Sequence, residues 1–308
     1  MTKSATRETA DVANIVGRKN LIINGGFDVW QRGTSFTADN VFTTDRWKSA
    51  DGSGGSPART ASRQAFTLGQ TDVPDAHYYF RHDQTGASTS GNSSFTTKIE
   101  DVTRTAGKTL TLSFYAKANA SMTIGPRFIQ GFGSGGSPSS SVEITETTVT
   151  IGTSWTKHTL TVTMPSISGK TIGSDGVHTS STILNIDFNP TGTFTFEIAQ
   201  VQLELGSVAT DFEHRSYGEE LALCQRYYNT SGIVLSNGTP YRYHNQINLP
   251  VEMRASPSIT TAAVDSGSGG TIVATWDREN NNSSSKVFYQ GANHSSVSSG
   301  RFTFDAEL

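Results

Sequence analysis

A single cysteine, Cys224, stands in 308 residues. One thiol rules out an intrachain disulfide framework and a cysteine-rich zinc site. Lysine and arginine (24) and aspartate and glutamate (27) nearly balance at a net charge of −3, and the cations are scattered without a basic run. That gives no electrostatic case for nucleic acid or an anionic membrane surface. No apolar stretch approaches the ~20 residues that cross a bilayer, so no membrane insertion is expected. Met1 to Glu8 lack the apolar core of a signal peptide, and the expectation is synthesis in a cytoplasm. Charge is sparse overall, at 17% against a typical ~25%. There is no Gly-x-Ser-x-Gly elbow. The glycines of Gly131 to Gly136 lack the Gly-Lys-Ser/Thr ending of a phosphate loop. No cofactor is expected, and no catalytic residue is assigned.

Serine, threonine, asparagine and 30 glycines fill the space that charge leaves. This mixture is poor helix material and suits antiparallel sheets with polar outer faces. From Leu21 to about Phe212 nearly every segment alternates. Lys108 to Ala116 sets Leu110, Leu112 and Phe114 on one face. Val142 to Ile151 carries Ile144 among threonines, and Trp155 to Met164 aligns Leu160, Val162 and Met164. Ile183 to Phe188 and Phe194 to Leu205 complete the set, with Phe194, Phe196 and Ile198 facing one way. Period-two alternation marks half-buried strands. The breaks at Asp51–Pro57, Gly131–Ser141 and Ser168–Asp175 are too rich in glycine and serine to hold a helix. The expected fold is all-β: a two-sheet jelly-roll sandwich over 20–215, opened by a strand at Asn20 to Phe27.

Residues 1–19 read as a separate lead, with Val12, Ile15 and Val16 on one side of a turn or two of helix that would need something to dock on. At Ser216 the texture changes again. Ser216 and Glu219 fit a capping box, Leu221, Cys224 and Tyr228 form an apolar stripe, and Arg226 suits the last turn. This predicts a helix ending near Asn229 to Gly232, with Cys224 buried in its stripe. Short alternating runs follow at Tyr241–Leu249, Pro257–Val264, Thr271–Trp276, Lys286–Tyr289 and Arg301–Phe304. The loops between them include Asp265–Gly270 and Glu279–Ser285. Together 216–308 form a short helix and a small antiparallel β unit, small for a self-sufficient core.

The seven histidines are dispersed. His77 and His82, the nearest pair, fall on opposite faces of a strand and do not suit one metal. Asp and Glu pairs such as Glu100-Asp101 and Glu219-Glu220 belong to a strand end and a helix start, and a glycosidase needs two carboxylates across a cleft. Glycan binding needs exposed aromatic faces with amide or guanidinium groups beside them. The candidates are Trp47, Tyr78, Tyr79, Arg81, Arg127, Phe128 and Gln130, each aromatic having a competing assignment to the core. Trp30 reads as structural, beside Phe27.

Four segments in order resemble the strands of family 4/9 carbohydrate-binding modules: Asn20 to Phe27, Leu110 to Ala118, Trp155 to Val162 and Phe196 to Glu204. Further segments resemble appendage and tail-fibre proteins of tailed phages that use this module: Phe27 to Thr34, Asp45-Arg46-Trp47, Gln202 to Gly206, Phe212 to Arg215 and Cys224 to Tyr228. The resemblance spans about residues 11 to 256. It implies a virion structural protein located on the particle and a homo-oligomer such as a trimer, without implying a catalytic activity, and no enzyme is expected. The lead at 1–19 reads either as a partly ordered tail or as the segment that attaches the protein to other virion proteins. Residues 216–308 would then be an oligomerisation or tip unit. The alternative is an adhesin whose jelly roll binds a host surface polysaccharide, and a polysaccharide-degrading enzyme is a third. Several family members hold calcium through carboxylates on the opening and closing strands. Here Gln200 and Gln202 stand where aspartate is common, and a hard cation prefers carboxylates.

Overall fold

The computed structural model describes residues 18–51, 58–86, 93–145, 148–188, 192–235, 243–265, 271–276, 284–290 and 298–308. The expected helix in the lead and most of the Asp51–Pro57, Asp265–Gly270 and Glu279–Ser285 loops lie outside these residues. The chain forms two compact units, 1–216 and 217–308.

In the first unit the strands are β1 Ser35–Phe36, β2 Val41–Phe42, β3 Trp47–Asp51, β4 Arg59–Ala65, β5 Tyr78–Gln84, β6 Ser93–Glu100 and β7 Thr109–Ala118. They continue with β8 Met122–Gly131, β9 Val142–Thr145, β10 Val149–Ile151, β11 Thr156–Thr163, β12 Ser181–Phe188 and β13 Phe194–Leu205. One sheet runs β1-β4-β5-β13-β7-β11; the other runs β10-β8-β12-β6-β3-β2, with β9 beside β10 on the edge of β8. All pairings are antiparallel, and non-sequential neighbours make the jelly-roll sandwich that the alternation predicts.

Aromatic rings join the sheets. Phe80 of β5 stacks on Phe95 of β6 at 3.8 Å, and Trp47 of β3 stacks on Phe95 at 4.5 Å. Phe27 wedges in at 5.5 to 6.1 Å from all three. Trp30 is structural as expected: it stacks on Phe80 at 6.3 Å and its indole N–H donates to the Phe27 carbonyl at 2.7 Å.

Asn20 to Phe27 is not the strand that its apolar run suggested. The Asn24 and Phe27 backbones are left-handed, which breaks a ladder. The segment instead lies along β13 through two backbone bonds, Leu21 N–H to Leu203 O (2.9 Å) and Val201 N–H to Gly25 O (2.9 Å). Asparagine side chains supply the rest. Asn24 Nδ2 donates to the carbonyls of Val29 and Asp45, and its Oδ1 accepts from Val29 N–H. Asn20 Oδ1 accepts from the N–H groups of Ile22 and Leu203.

The docking point is a bulge in β13 between Ala199 and Gln202. It moves the inward parity from Phe194, Phe196 and Ile198 to Val201 and Leu203, all buried. Gly25 is required there, because a Cβ would sit 2.0 Å from the Val201 carbonyl oxygen. The Gly131–Ser141 and Ser168–Asp175 loops dock on each other by backbone bonds, Gly173 N–H to Phe132 O (2.8 Å) and Ser139 N–H to Thr171 O (3.0 Å).

In the second unit helix α1 covers Tyr217–Gln225. It stops earlier than expected: Tyr228 opens strand β14, Tyr228–Leu235, and Arg226 lies past the helix end. Run as a helix, Tyr228 completes an apolar stripe; as the start of a strand it pairs with Asp305. The β-branched Thr230, Ile233 and Val234 favour the ladder, and Gly232 disfavours continuing the helix. Cys224 is buried. The remaining strands are β15 Tyr243–Asn248, β16 Ser258–Asp265, β17 Thr271–Trp276, β18 Ser284–Gln290 and β19 Ser298–Asp305. They form two three-stranded antiparallel sheets, β14-β19-β16 and β15-β18-β17. Among the described residues no helix is long and apolar enough to cross a membrane.

Candidate binding face

The outer face of the first sheet is built from the odd positions of β5, β7, β11 and the first half of β13, opposite the buried Phe80, Phe114, Ala116, Phe196 and Ile198. The register sets Arg81, Glu197 and Lys117 side by side across three strands. Glu197 is only 4% exposed. Its Oε1 accepts from Arg81 Nε at 2.7 Å, and its Oε2 lies 3.0 Å from Lys117 Nζ. The two cations stay about one-third exposed, at 35% and 32% of their side chains.

Three half-buried rings lie over this row. Phe66 follows β4, Tyr79 stands in β5 and Trp155 precedes β11. Their centroids are 4.7 Å (Phe66 to Tyr79), 5.2 Å (Phe66 to Trp155) and 5.3 Å (Tyr79 to Trp155, edge-on) apart. β4 and β11 are four places apart in the sheet, roughly 19 Å for a flat one at ~4.8 Å per strand. Rings from the two meet because Phe66 and Trp155 lie just beyond their strands and both side chains reach across the face.

The cations also touch the rings. Lys117 Nζ sits 5.3 Å from the Trp155 centroid, and Arg81 Nη2 donates to the Tyr79 hydroxyl at 3.3 Å. Burial first, and the Glu197 charge second, push the Tyr79 phenol above its usual value. It stays protonated at neutral pH, with its own O–H left to donate.

Of the seven residues expected to contact a glycan, Tyr79 and Arg81 lie on this face and the other five do not. Trp47 is fully buried in the ring stack, its indole N–H directed at the Asn24 carbonyl. Phe128 and Gln130 point inward from β8, and Gln130 Nε2 donates to the Pro165 carbonyl. Tyr78 has the inward parity of Phe80 and packs under the Arg63 guanidinium at 4.6 Å. Arg127 is on the outer face of the other sheet, paired with Glu143 at 2.9 Å and Asp187 at 3.1 Å. Burial, opposed by Arg127, raises the Asp187 carboxyl above the usual range.

Phe66, Trp155, Lys117 and Glu197 were missed. The signal for three of them is in the alternation: Lys117 and Glu197 sit at polar-face positions of β7 and β13, and Trp155 has the outward parity of β11 and directly precedes it. An aromatic at an outward position next to an apolar alternation is the pattern to look for.

Four of the five segments that carried the phage resemblance bond in pairs within the first unit, Phe27 to Thr34 with Asp45 to Trp47 and Gln202 to Gly206 with Phe212 to Arg215. Asp45 accepts from Gln31 N–H and Gln31 Nε2, both at 2.7 Å, and lies 3.8 Å from Arg32. Arg215 donates to the carbonyls of Asn20 and Ile22, and Glu213 accepts from Asn20 N–H at 2.8 Å. Gln202 accepts from Glu213 N–H and donates to the Asp211 carbonyl. These motifs close the sandwich by fastening its first residues to its last. Gln200, in turn, donates to the Pro74 carbonyl. Among the described residues no three His, Cys, Asp or Glu side chains gather as metal ligands.

No protein-family model matches the sequence, and no curated protein matches it. Solved structures do show similarity. A CBM4 protein is 20% identical over 60% of this chain and 99% of its own, with a TM-score of 0.37. The CBM22 xylan-binding domain from Paenibacillus barcinonensis is 11% identical over 62% of this chain and 96% of its own, at 0.37. The enzymatically active domain of tailspike protein 4 from bacteriophage CBA120 is 17% identical over 61% of this chain and 21% of its own, at 0.34.

Proposed function

We propose that the sandwich is a glycan-recognition module whose ligand lies on the outer face of the first sheet. The observation that carries this reading is the cluster of Phe66, Tyr79 and Trp155, half exposed above a row of fixed charges. Rings offer apolar faces to sugar rings, and a few placed donors beside them fix orientation. Here the donors are the Tyr79 hydroxyl, Arg81 and Lys117. The function is binding without turnover.

A glycan array probed with the full chain tests it. Binding that Trp155→Ala and Tyr79→Ala each weaken about tenfold or more supports the face. An absence of binding, or binding indifferent to both changes, refutes it.

The setting proposed with this function is a tailed-phage virion appendage, homo-oligomeric and held to the particle through residues 1–19. Its support is the sequence resemblance. Light scattering on the eluting protein tests the oligomer, and a monomer at micromolar concentration refutes it. Labelling the protein on intact particles tests the location.

A further inference from the structure

We infer that Glu197 is the positioning residue of this face: one buried carboxylate that orients both cations and, through them, the rings. The inference rests on the glycan-binding reading for its functional consequence, and on geometry alone for its structural one.

Five side chains close a circuit. Glu197 holds Arg81 on one oxygen (2.7 Å to Nε) and Lys117 on the other (3.0 Å). Arg81 reaches the Tyr79 hydroxyl at 3.3 Å, and Lys117 lies over Trp155 at 5.3 Å. Tyr79 and Trp155 then meet edge-on at 5.3 Å. The circuit has a single anion, and that anion is its most buried member.

A buried carboxylate is tolerated only where charges and hydrogen bonds compensate it, so Glu197 strongly requires both partners. The cations require Glu197 in return. Arg and Lys side chains have large rotamer freedom. Without the carboxylate, two positive groups would share one small area and move apart. Trp155 and Tyr79 would lose the contacts that fix their planes, and a ligand would have to order four side chains on arrival. Ordering them beforehand removes that cost from binding. Glu197 itself, at 4% exposure, is the member of the row least open to a ligand, which makes it a positioning residue rather than a contact.

The test is Glu197→Gln in the full chain, which keeps shape and removes charge. Acrylamide quenching is measured with and without a Trp155→Phe change, so that the difference isolates Trp155. Glu197→Gln is expected to raise the Trp155 quenching constant about twofold and to weaken the best array glycan about tenfold or more. In a Lys117→Met background the same change is expected to add nothing further at Trp155.

Unchanged Trp155 quenching overturns the inference whatever the glycan result. Raised quenching, with glycan binding indifferent to Trp155→Ala, leaves the circuit standing and sinks the binding reading instead. Should Glu197→Gln not fold, Lys117→Met and Arg81→Met decide it. The first is expected to raise Trp155 quenching and the second to leave it near wild type; equal effects overturn the inference.

Discussion

Replacing His82 by phenylalanine is expected to flatten the acid limb of the first unit's stability curve. His82 lies in β5 opposite Ala61 and Phe196, fully buried, with Phe188 and Phe194 rings 5.0 and 5.4 Å away. Burial chiefly, and the Arg59 charge secondarily, lower its pKa from 6.5 to about 3, against a smaller opposing effect of Gln84. Between those two values the unfolded chain binds a proton that the native state refuses. Stability therefore is whole above pH ~6.5, falls as pH falls, and levels off below about 3. At about 1.36 kcal/mol per unit, the loss is roughly 2 kcal/mol at pH 5 and approaches 5 kcal/mol at the plateau. Urea unfolding followed by tryptophan fluorescence at pH 7.5, 6, 5 and 4 measures it, with the transition of the unit holding Trp30 and Trp47 fitted on its own. Asp187, whose carboxyl is raised, contributes with the opposite sign, so the quantity to read is wild type minus His82→Phe. A difference that stays constant from pH 7.5 to pH 4 refutes the reasoning.

Three further outcomes are expected. Trp47→Ala costs about 3–5 kcal/mol by leaving a cavity in the ring stack; thermal denaturation detects it, and the folded fraction still binds glycan. Gly25→Ala drives a Cβ into the Val201 carbonyl and is expected to cost more than about 2 kcal/mol; hydrogen exchange at Val201 and Leu21 reports the detached segment. Arg127→Ala, on the other sheet, removes an outer-face ion-pair cluster and is expected to change stability by under about 1 kcal/mol, with glycan affinity unchanged on the array.

Much of the strand content was written in the alternation. Leu110, Leu112 and Phe114, or Leu160, Val162 and Met164, face the core because side chains on a strand must alternate and one side must leave water. The same rule held the signal for Trp155, Lys117 and Glu197 on the outward side. The alternation could not show that Asn20 to Phe27 is irregular, because two left-handed residues and the carbonyl-binding asparagines are invisible to an apolar count. Nor could it place Tyr228, whose spacing fits a helix stripe and a strand start equally.

What only the tertiary structure decided is which outward residues share a face. Phe66, Tyr79 and Trp155 are separated by up to 89 residues, and the folded sheet brings their rings within 5.3 Å. Trp47 and Phe128, aromatic and near arginines in the sequence, went to the core because their strands turn those positions inward. The sequence sets each residue's side of its own strand. Long-range pairing sets its neighbours, and a binding face is made of neighbours.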